Sequence, residues 1–228
     1  MLEVAAPRPF PLRAGRYLWP MRLLLGAIAF LVIGNLVILA SHLVLQRVTP
    51  KAGVDLPITN FTVVDDHVWR GAAPGARGYE ALAAKGVSTI VDLRAEEDIH
   101  VDEAALAGLG LTRFHLPLRD GQAPAPALVE RFLEIVENSD GRVFVHCGAG
   151  VGRTGTMAAA YLVARDGLSS AEAVRRNLAV GPPSLEQIAF ASRLRQGEIN
   201  KAPTALVAVS RVLDAPRRIW VGVRKSYE

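Results

Sequence analysis

From Leu23 to Gln46 the chain runs for 24 residues without an aspartate, glutamate, lysine or arginine. No other feature limits its folding as strongly. As a helix, such a run spans roughly 36 Å, enough to cross a hydrocarbon core of about 30 Å. It exceeds the apolar core of a secretory signal, which is about 7–15 residues. Gly26, Gly34 and Asn35 interrupt it, as a membrane helix tolerates. The expectation is an uncleaved, single-pass membrane anchor over residues 21–46. Two alternatives stay open: a signal peptide cleaved after Ala40 in "LVILASHL", and a buried helix of a soluble domain. Arg8, Arg13, Arg16 and Arg22 precede the span, and Arg47 and Lys51 follow it. That excess favours a cytoplasmic N-terminus. Four against two is a modest bias, and the membrane face of the main domain stays open.

Charge divides the chain in the same way. Residues 1–51 carry six Lys/Arg and one acid, residues 52–200 fourteen and nineteen, and residues 201–228 six and two. The middle is acidic and the basic excess lies at the ends, which argues against a nucleic-acid groove on the globular part. The single cysteine, Cys147, excludes an intrachain disulfide and a cysteine-rich zinc site. His42, His67, His100, His115 and His146 are scattered, so no metal-ligand cluster is visible and no cofactor is called for.

The organisation reads as a proline-rich N-terminal tail (1–20), the anchor, a linker (47–59), a globular domain (60–198) and a basic C-terminal tail (199–228). In the domain, "FTVV" and "HVWRG" suggest a short hairpin turning at Asp65 and Asp66. Strands are expected at 87–93, 111–118 and 142–147, and helices at 75–86, 96–110, 127–139, 153–167, 169–180 and 184–197. In the helix at 127–139, Leu128, Phe132, Ile135 and Val136 are expected to face the core. Strands alternating with helices predict an α/β fold: a central, mainly parallel sheet flanked by helices. In the tail, "ALVAVSRVL" could be a helix. Arg217, Arg218, Arg224 and Lys225 beside Trp220 and Tyr227 suit either an anionic membrane surface or a solvated tail.

The stretch "VFVHCGAGVGRTG" carries the chemistry. A strand delivers Cys147 to the carboxyl edge of the sheet. Gly148, Ala149, Gly150, Val151 and Gly152 follow, and three glycines let the backbone curl with its N–H groups inward. A helix beginning near Arg153 adds the positive end of its dipole. That cradle suits an oxyanion of phosphate size, and Arg153 can fork onto two phosphate oxygens. The same field favours the thiolate, and a thiolate beneath a phosphate is a nucleophile aimed at phosphorus. His146 is expected to hydrogen-bond within the loop and hold its shape. The Thr154 hydroxyl is expected to reach the sulfur and help it leave. The bland alternative is a buried structural cysteine before a glycine turn.

"HCGAGVGRTG" resembles the signature loop of the cysteine-dependent protein tyrosine and dual-specificity phosphatases, and the resemblance covers roughly residues 60–197. It implies a general acid on a mobile loop upstream. "LPLRDGQAPAP" resembles such acid loops, which makes Asp120, 27 residues before Cys147, the implied acid in the first step and base in the second. The alternative is a turn aspartate before glycine. Asp92 and Asp98 are runners-up for the acid. Arg94 is read as a structural ion-pair partner, and Arg70 in "VWRGAAP" as structural or as a rim of the phosphate site. Gln187 resembles a water-positioning glutamine of tyrosine-specific members. Pro183 stands where a second glutamine would be expected, so an exposed helix residue is the alternative.

Gly148 and Val151 stand where phosphoinositide phosphatases of this superfamily tend to carry lysines. Their identity favours phosphoprotein substrates, phosphotyrosine first and phosphoserine or phosphothreonine beside it. A membrane anchor also brings phospholipid within reach, so a phosphatidylglycerophosphate-like or phosphoinositide-like lipid is the alternative. An inactive phosphate-binding module is the alternative of another class, opposed by the presence of Cys147, Arg153 and Asp120 together. Arsenate reductases and low-molecular-weight phosphatases place the loop near the chain start with the acid after it, unlike this order.

Overall fold

The computed structural model describes residues 15–49, 54–95, 101–199 and 202–214. The expectations for the N-terminal tail up to residue 14, for Asp98 and His100, and for the basic segment from residue 215 lie outside the described residues.

The uncharged run is helical. Helix α1, Gly15–Val48, extends beyond the expected span at both ends. From Trp19 to Val48 it reaches a mean hydropathy of 2.7, and its most apolar stretch is unburied. The chain divides into two compact units, residues 1–37 and 38–228. The described part of the first belongs to α1; the second holds the last turns of α1 and the α/β domain.

The domain is a five-stranded sheet in the order β1-β2-β5-β3-β4. The strands are β1 (Thr62–Val63), β2 (Val68–Ala72), β3 (Val87–Arg94), β4 (Thr112–Leu118) and β5 (Arg142–Cys147). Only β1 with β2 is antiparallel; β2, β5, β3 and β4 run parallel. The hairpin turns where Asp65 accepts from the backbone N–H groups of His67 and Val68 at 2.8 and 2.6 Å. That side-chain bond pre-forms the reversal.

The central strand is buried on both faces, as a parallel strand must be. Val143, Val145 and Cys147 pack into one core with Phe132, Met157 and Phe190. Phe144, on the opposite face, joins Trp69, Leu82 and Ile90. Leu56 and Ile58, in the stretch read as linker, belong to this second core, at 9% and 8% exposure.

Seven further helices are described: α2 (Ala76–Ala84), α3 (Glu103–Gly108), α4 (Pro126–Glu137), α5 (Gly152–Arg165), α6 (Ser170–Val180), α7 (Leu185–Ala191) and α8 (Thr204–Leu213). α2 stops where expected, with Gly86 at φ +78° supplying the left-handed turn. Three expectations need correction. Of the helix expected at 96–110, residues 96–100 lie outside the described residues, and α3 starts at Glu103, where Asp102 caps it by accepting from Ala105 N–H, and ends at Gly108. α7 ends at Ala191, where Arg193 and Leu194 donate three residues back and the chain reverses between Arg195 and Glu198. On α4 the residue in the core is Val129, with Phe132, Ile135 and Val136; Leu128 is only partly buried. α5 is buried from Arg153 through Val163, and Gly155 with Ala158–Ala160 keeps its girth small enough for that.

Candidate active site

β5 ends at Cys147 and α5 begins at Gly152, so four residues, Gly148 to Val151, connect the sheet edge to the helix start. Cys147 is 2% exposed. The N–H of Gly150 donates to its Sγ at 3.2 Å, so the loop curls back over the sulfur. Gly150 sits at φ +73°, and a β-carbon there would fall on the backbone of Gly71 and Ala72. The curl therefore requires glycine twice over, for its backbone angle and for its closeness to β2.

Arg70 holds the loop from below. It is 3% exposed, and its Nη2 donates to Gly150 O at 2.8 Å, Val151 O at 3.1 Å and Asn177 Oδ1 at 3.2 Å. Nη1 adds a bond to Asn177 Oδ1 at 3.2 Å. With these carbonyls held by Arg70, the Gly150 N–H points to the thiol. Burial lowers the Arg70 pKa to about 10, against the opposing pull of Cys147, and it stays cationic at neutral pH. Arg70 is thus committed to the loop backbone, which decides between the two readings left open for it. Asn60 braces the outer side, donating to Ala149 O at 2.9 Å.

Arg153, in the first turn of α5, is 4% exposed. Its Nη1 donates to Leu118 O at 3.1 Å, and its Nε lies 3.5 Å from Asp120 Oδ1. Thus the aspartate proposed from sequence and the arginine of the loop, 33 residues apart in the chain (153 − 120), form an ion pair. The Asp120 side chain is 41% exposed, open to an incoming group. Thr154 Oγ1 is buried without a hydrogen-bond partner among the described residues, and its expected bond to the sulfur is not formed.

Asp92 is fully buried and its carboxylate is already engaged. It accepts from Arg94 at 2.9 and 2.7 Å and from Arg113 at 3.2 and 2.9 Å. Burial alone would raise its pKa; the bonds from Arg94 and Arg113 outweigh it and hold the carboxyl well below the usual range. Fully buried and bound by two guanidinium groups, Asp92 is not free to reach a leaving group, which removes it as an acid candidate. Arg94 is its ion-pair partner, as expected. His146 stacks on Phe144 at 5.9 Å, and its Nδ1 lies 3.3 Å from Cys147 O and 3.8 Å from Asp92. Burial lowers its pKa to about 4, so the ring is neutral. Its hydrogen bond within the loop is the one to the Cys147 carbonyl at the strand end, and Nε2 is buried without a partner among the described residues.

Gln187 is 1% exposed, not the exposed helix residue of the alternative reading. Its Oε1 accepts from Ser184 N–H at 3.0 Å while Ser184 Oγ accepts from Gln187 N–H, closing a capping box at the start of α7. Its Nε2 donates to Gln122 O at 3.2 Å, two residues past Asp120. The Ser-x-x-Gln spacing was the available signal for this box. Asn177 carried no comparable local signal. Among the described residues no cluster of His, Cys, Asp or Glu is placed to hold a metal ion.

Residues 48–193 match the family described as DSP-PTPase phosphatase fused to NAD+ kinase. Human dual specificity protein phosphatase CDC14C is 38% identical over 87 residues, 36% of this chain and 20% of that protein. The probable chloroplastic NAD kinase 2 of Oryza sativa is 37% identical over 117 residues, 44% of this chain and 12% of that protein. The chain therefore spans about a fifth or less of these relatives. Among solved structures, the catalytic domain of the PP-IP phosphatase SIW14 from S. cerevisiae superposes with a TM-score of 0.55 at 21% identity, covering 64% of this chain and 91% of that one. PTPMT1 in complex with PI(5)P gives 0.52 at 21% identity, covering 58% and 92%. At such identities these two structures speak to the fold alone.

Proposed function

The chain belongs to the DSP-PTPase phosphatase family, and on that premise we propose that it hydrolyses phosphomonoesters through a phosphocysteine intermediate, with protein phosphotyrosine as its main substrate. In the first step Cys147 Sγ attacks phosphorus and the ester P–O bond breaks. Asp120 gives its proton to the leaving oxygen. In the second step water attacks the phosphocysteine, Asp120 takes the water's proton, and the S–P bond breaks. Arg153 and the N–H groups from Gly148 to Gly152 hold the equatorial oxygens through both steps. The observation that carries this reading is the Arg153–Asp120 ion pair, 3.5 Å, at the mouth of the loop that encloses Cys147.

For the substrate, the depth of Cys147 favours an ester with reach, because a phenyl ring extends the phosphoryl group farther from a peptide than a serine side chain does. Gly148 and Val151 offer no cation to a second phosphate. Phosphoserine and phosphothreonine are then slower substrates. A membrane-lipid phosphate is the second reading, favoured by the unburied apolar helix Trp19–Val48. We also infer that this helix is a single membrane anchor with its N-terminus cytoplasmic. The engaged trio of Cys147, Arg153 and Asp120 speaks against an inactive phosphate-binding module.

The test uses the full chain in detergent micelles with phosphotyrosine peptides, phosphoserine peptides and phospholipids, beside Cys147→Ser. Phosphopeptide turnover lost in the mutant supports the reading. Turnover restricted to lipid replaces it with the second, and activity that survives in Cys147→Ser ends the cysteine mechanism.

A further inference from the structure

The loop carrying Asp120 is gripped at three consecutive residues by the start of α7. Ser184 Oγ donates to Gly121 O at 2.7 Å, and Gln187 Nε2 donates to Gln122 O at 3.2 Å. Glu186 Oε1 accepts from Ala123 N–H at 3.0 Å. Of these three, Glu186 is the costly choice, because it is an acid at 6% exposure. A buried carboxylate is retained only where charged or hydrogen-bonding partners compensate its desolvation.

Its partners come from two directions. One is the acid loop, through Ala123. The other is α8: Ser210 Oγ accepts from the Glu186 N–H at 2.9 Å, and Arg211 Nε lies 3.9 Å from Glu186 Oε2. Oε2 makes no hydrogen bond within the described residues. Glu186 thus links the C-terminal helix to the loop three residues past Asp120. Gly121, at φ +74°, makes the turn between them. A loop pinned at that turn and at the two residues after it limits how far Asp120 can move away from Arg153.

We propose that Glu186 is a positioning residue for the general acid, tethering the Asp120 loop through Ala123 and backed by α8. This role rests on the phosphatase reading above. A carboxylate tether is stronger than a neutral one, since a charged acceptor roughly doubles the strength of an N–H bond. Loss of the tether leaves nucleophilic attack by Cys147 intact and displaces only the proton donor. Its signature is therefore a dependence on the leaving group. Esters of acidic phenols leave unaided, whereas phenol itself needs the proton.

The experiment compares Glu186→Ala and Glu186→Gln in the full chain, with Asp120→Asn and Cys147→Ser as references. Substrates are aryl phosphates graded from dinitrophenyl to phenyl. Glu186→Ala is expected to lose about 10- to 100-fold in kcat on phenyl phosphate. On dinitrophenyl phosphate it is expected to stay within about threefold of the parent, since no proton is needed there. The alkaline limb of its pH profile flattens toward that of Asp120→Asn. Glu186→Gln, whose amide oxygen can still accept from Ala123, restores most of the phenyl phosphate rate. Amide exchange gives a readout independent of activity: the peptide over residues 120–125 exchanges faster in Glu186→Ala but not in Glu186→Gln, with the β5 peptide unchanged.

Equal losses on all leaving groups, or unchanged exchange at 120–125, would overturn the proposal. Activity surviving in Cys147→Ser would overturn the phosphatase reading and the catalytic role with it, while the exchange result still decides whether the tether exists.

Discussion

Replacing Arg70 with methionine keeps most of the buried stem volume and removes every donor. Four hydrogen bonds are lost: to Gly150 O, to Val151 O and two to Asn177 Oδ1. Counted singly, bonds to a charged group contribute about 1.5–3 kcal/mol each. Their sum overstates the loss, because the methionine no longer has to strip water from a guanidinium at 3% exposure. Three buried neutral acceptors are left unpaired at about 1–3 kcal/mol each, and the relieved desolvation of the guanidinium brings the expected net loss to about 3–5 kcal/mol. At about 1.4 kcal/mol per tenfold, it lowers the folding constant by roughly 100- to 4,000-fold. The assay is urea unfolding of the full chain in detergent, followed by tryptophan fluorescence, since Trp69 adjoins Arg70 in β2. Phosphate affinity, measured alongside by calorimetry, is expected to fall at least about tenfold, because untethered carbonyls can turn toward the anion. Arg70→Lys recovers only part of both, since a single ammonium cannot match the guanidinium fork. A loss below about 1 kcal/mol with unchanged phosphate affinity would refute the clamp.

Stability should fall on mild acidification through His146. Burial lowers its folded pKa to about 4, with Asp92 pulling the other way and Arg94 and Arg113 adding to the depression. The unfolded ring titrates near 6.5, so between these values the unfolded state binds the extra proton. Unfolding free energy is thus expected to drop by up to about 3 kcal/mol from pH 6.5 to 4, and urea titrations of His146→Asn should show a flatter profile. The contribution of Asp92, whose folded pKa is depressed, is lost only below its unfolded value near 4. Gly155→Ala places a methyl group on the Asn177 amide. It should cost about 1–3 kcal/mol in denaturation and loosen the Arg70 clamp; an unchanged midpoint would contradict that packing. Asp120→Asn is expected to reduce kcat on phenyl phosphate about 10²- to 10⁴-fold, and an unchanged rate would remove Asp120 as the acid.

Some of this architecture could be read before any coordinates. β5 spans Arg142–Cys147, the expected limits, because a short apolar run between turn formers leaves the chain little choice. The hairpin at Asp65 and the stop at Gly86 follow from local side-chain and backbone chemistry. α7 came out shorter than its pattern suggested, and α3 starts at a cap inside its expected span. In α3 a cap competes with continuing the helix. In α7 tightened turns bring the chain back to the core. Neither balance is visible in hydrophobic spacing, and the choice of Val129 over Leu128 depended on the rotation of α4 against the sheet.

The site divides along the same line. Sequence alone determined which groups are available: a cysteine at a strand end, a glycine-rich curl, an arginine at a helix start, and an aspartate in a turn upstream. Those are local properties, carried by residue type and spacing. Tertiary structure decided which groups meet. It gave Arg70 to the loop carbonyls, Asp92 to Arg94 and Arg113, Asp120 to Arg153, and Gln187 with Glu186 to the loop that follows Asp120. Arg70 and Asn177 lie 107 residues apart, and Ala123 and Glu186 lie 63 apart. Such pairs depend on sheet order and helix packing. Burial then makes each buried polar group take whichever partner the fold brings within reach.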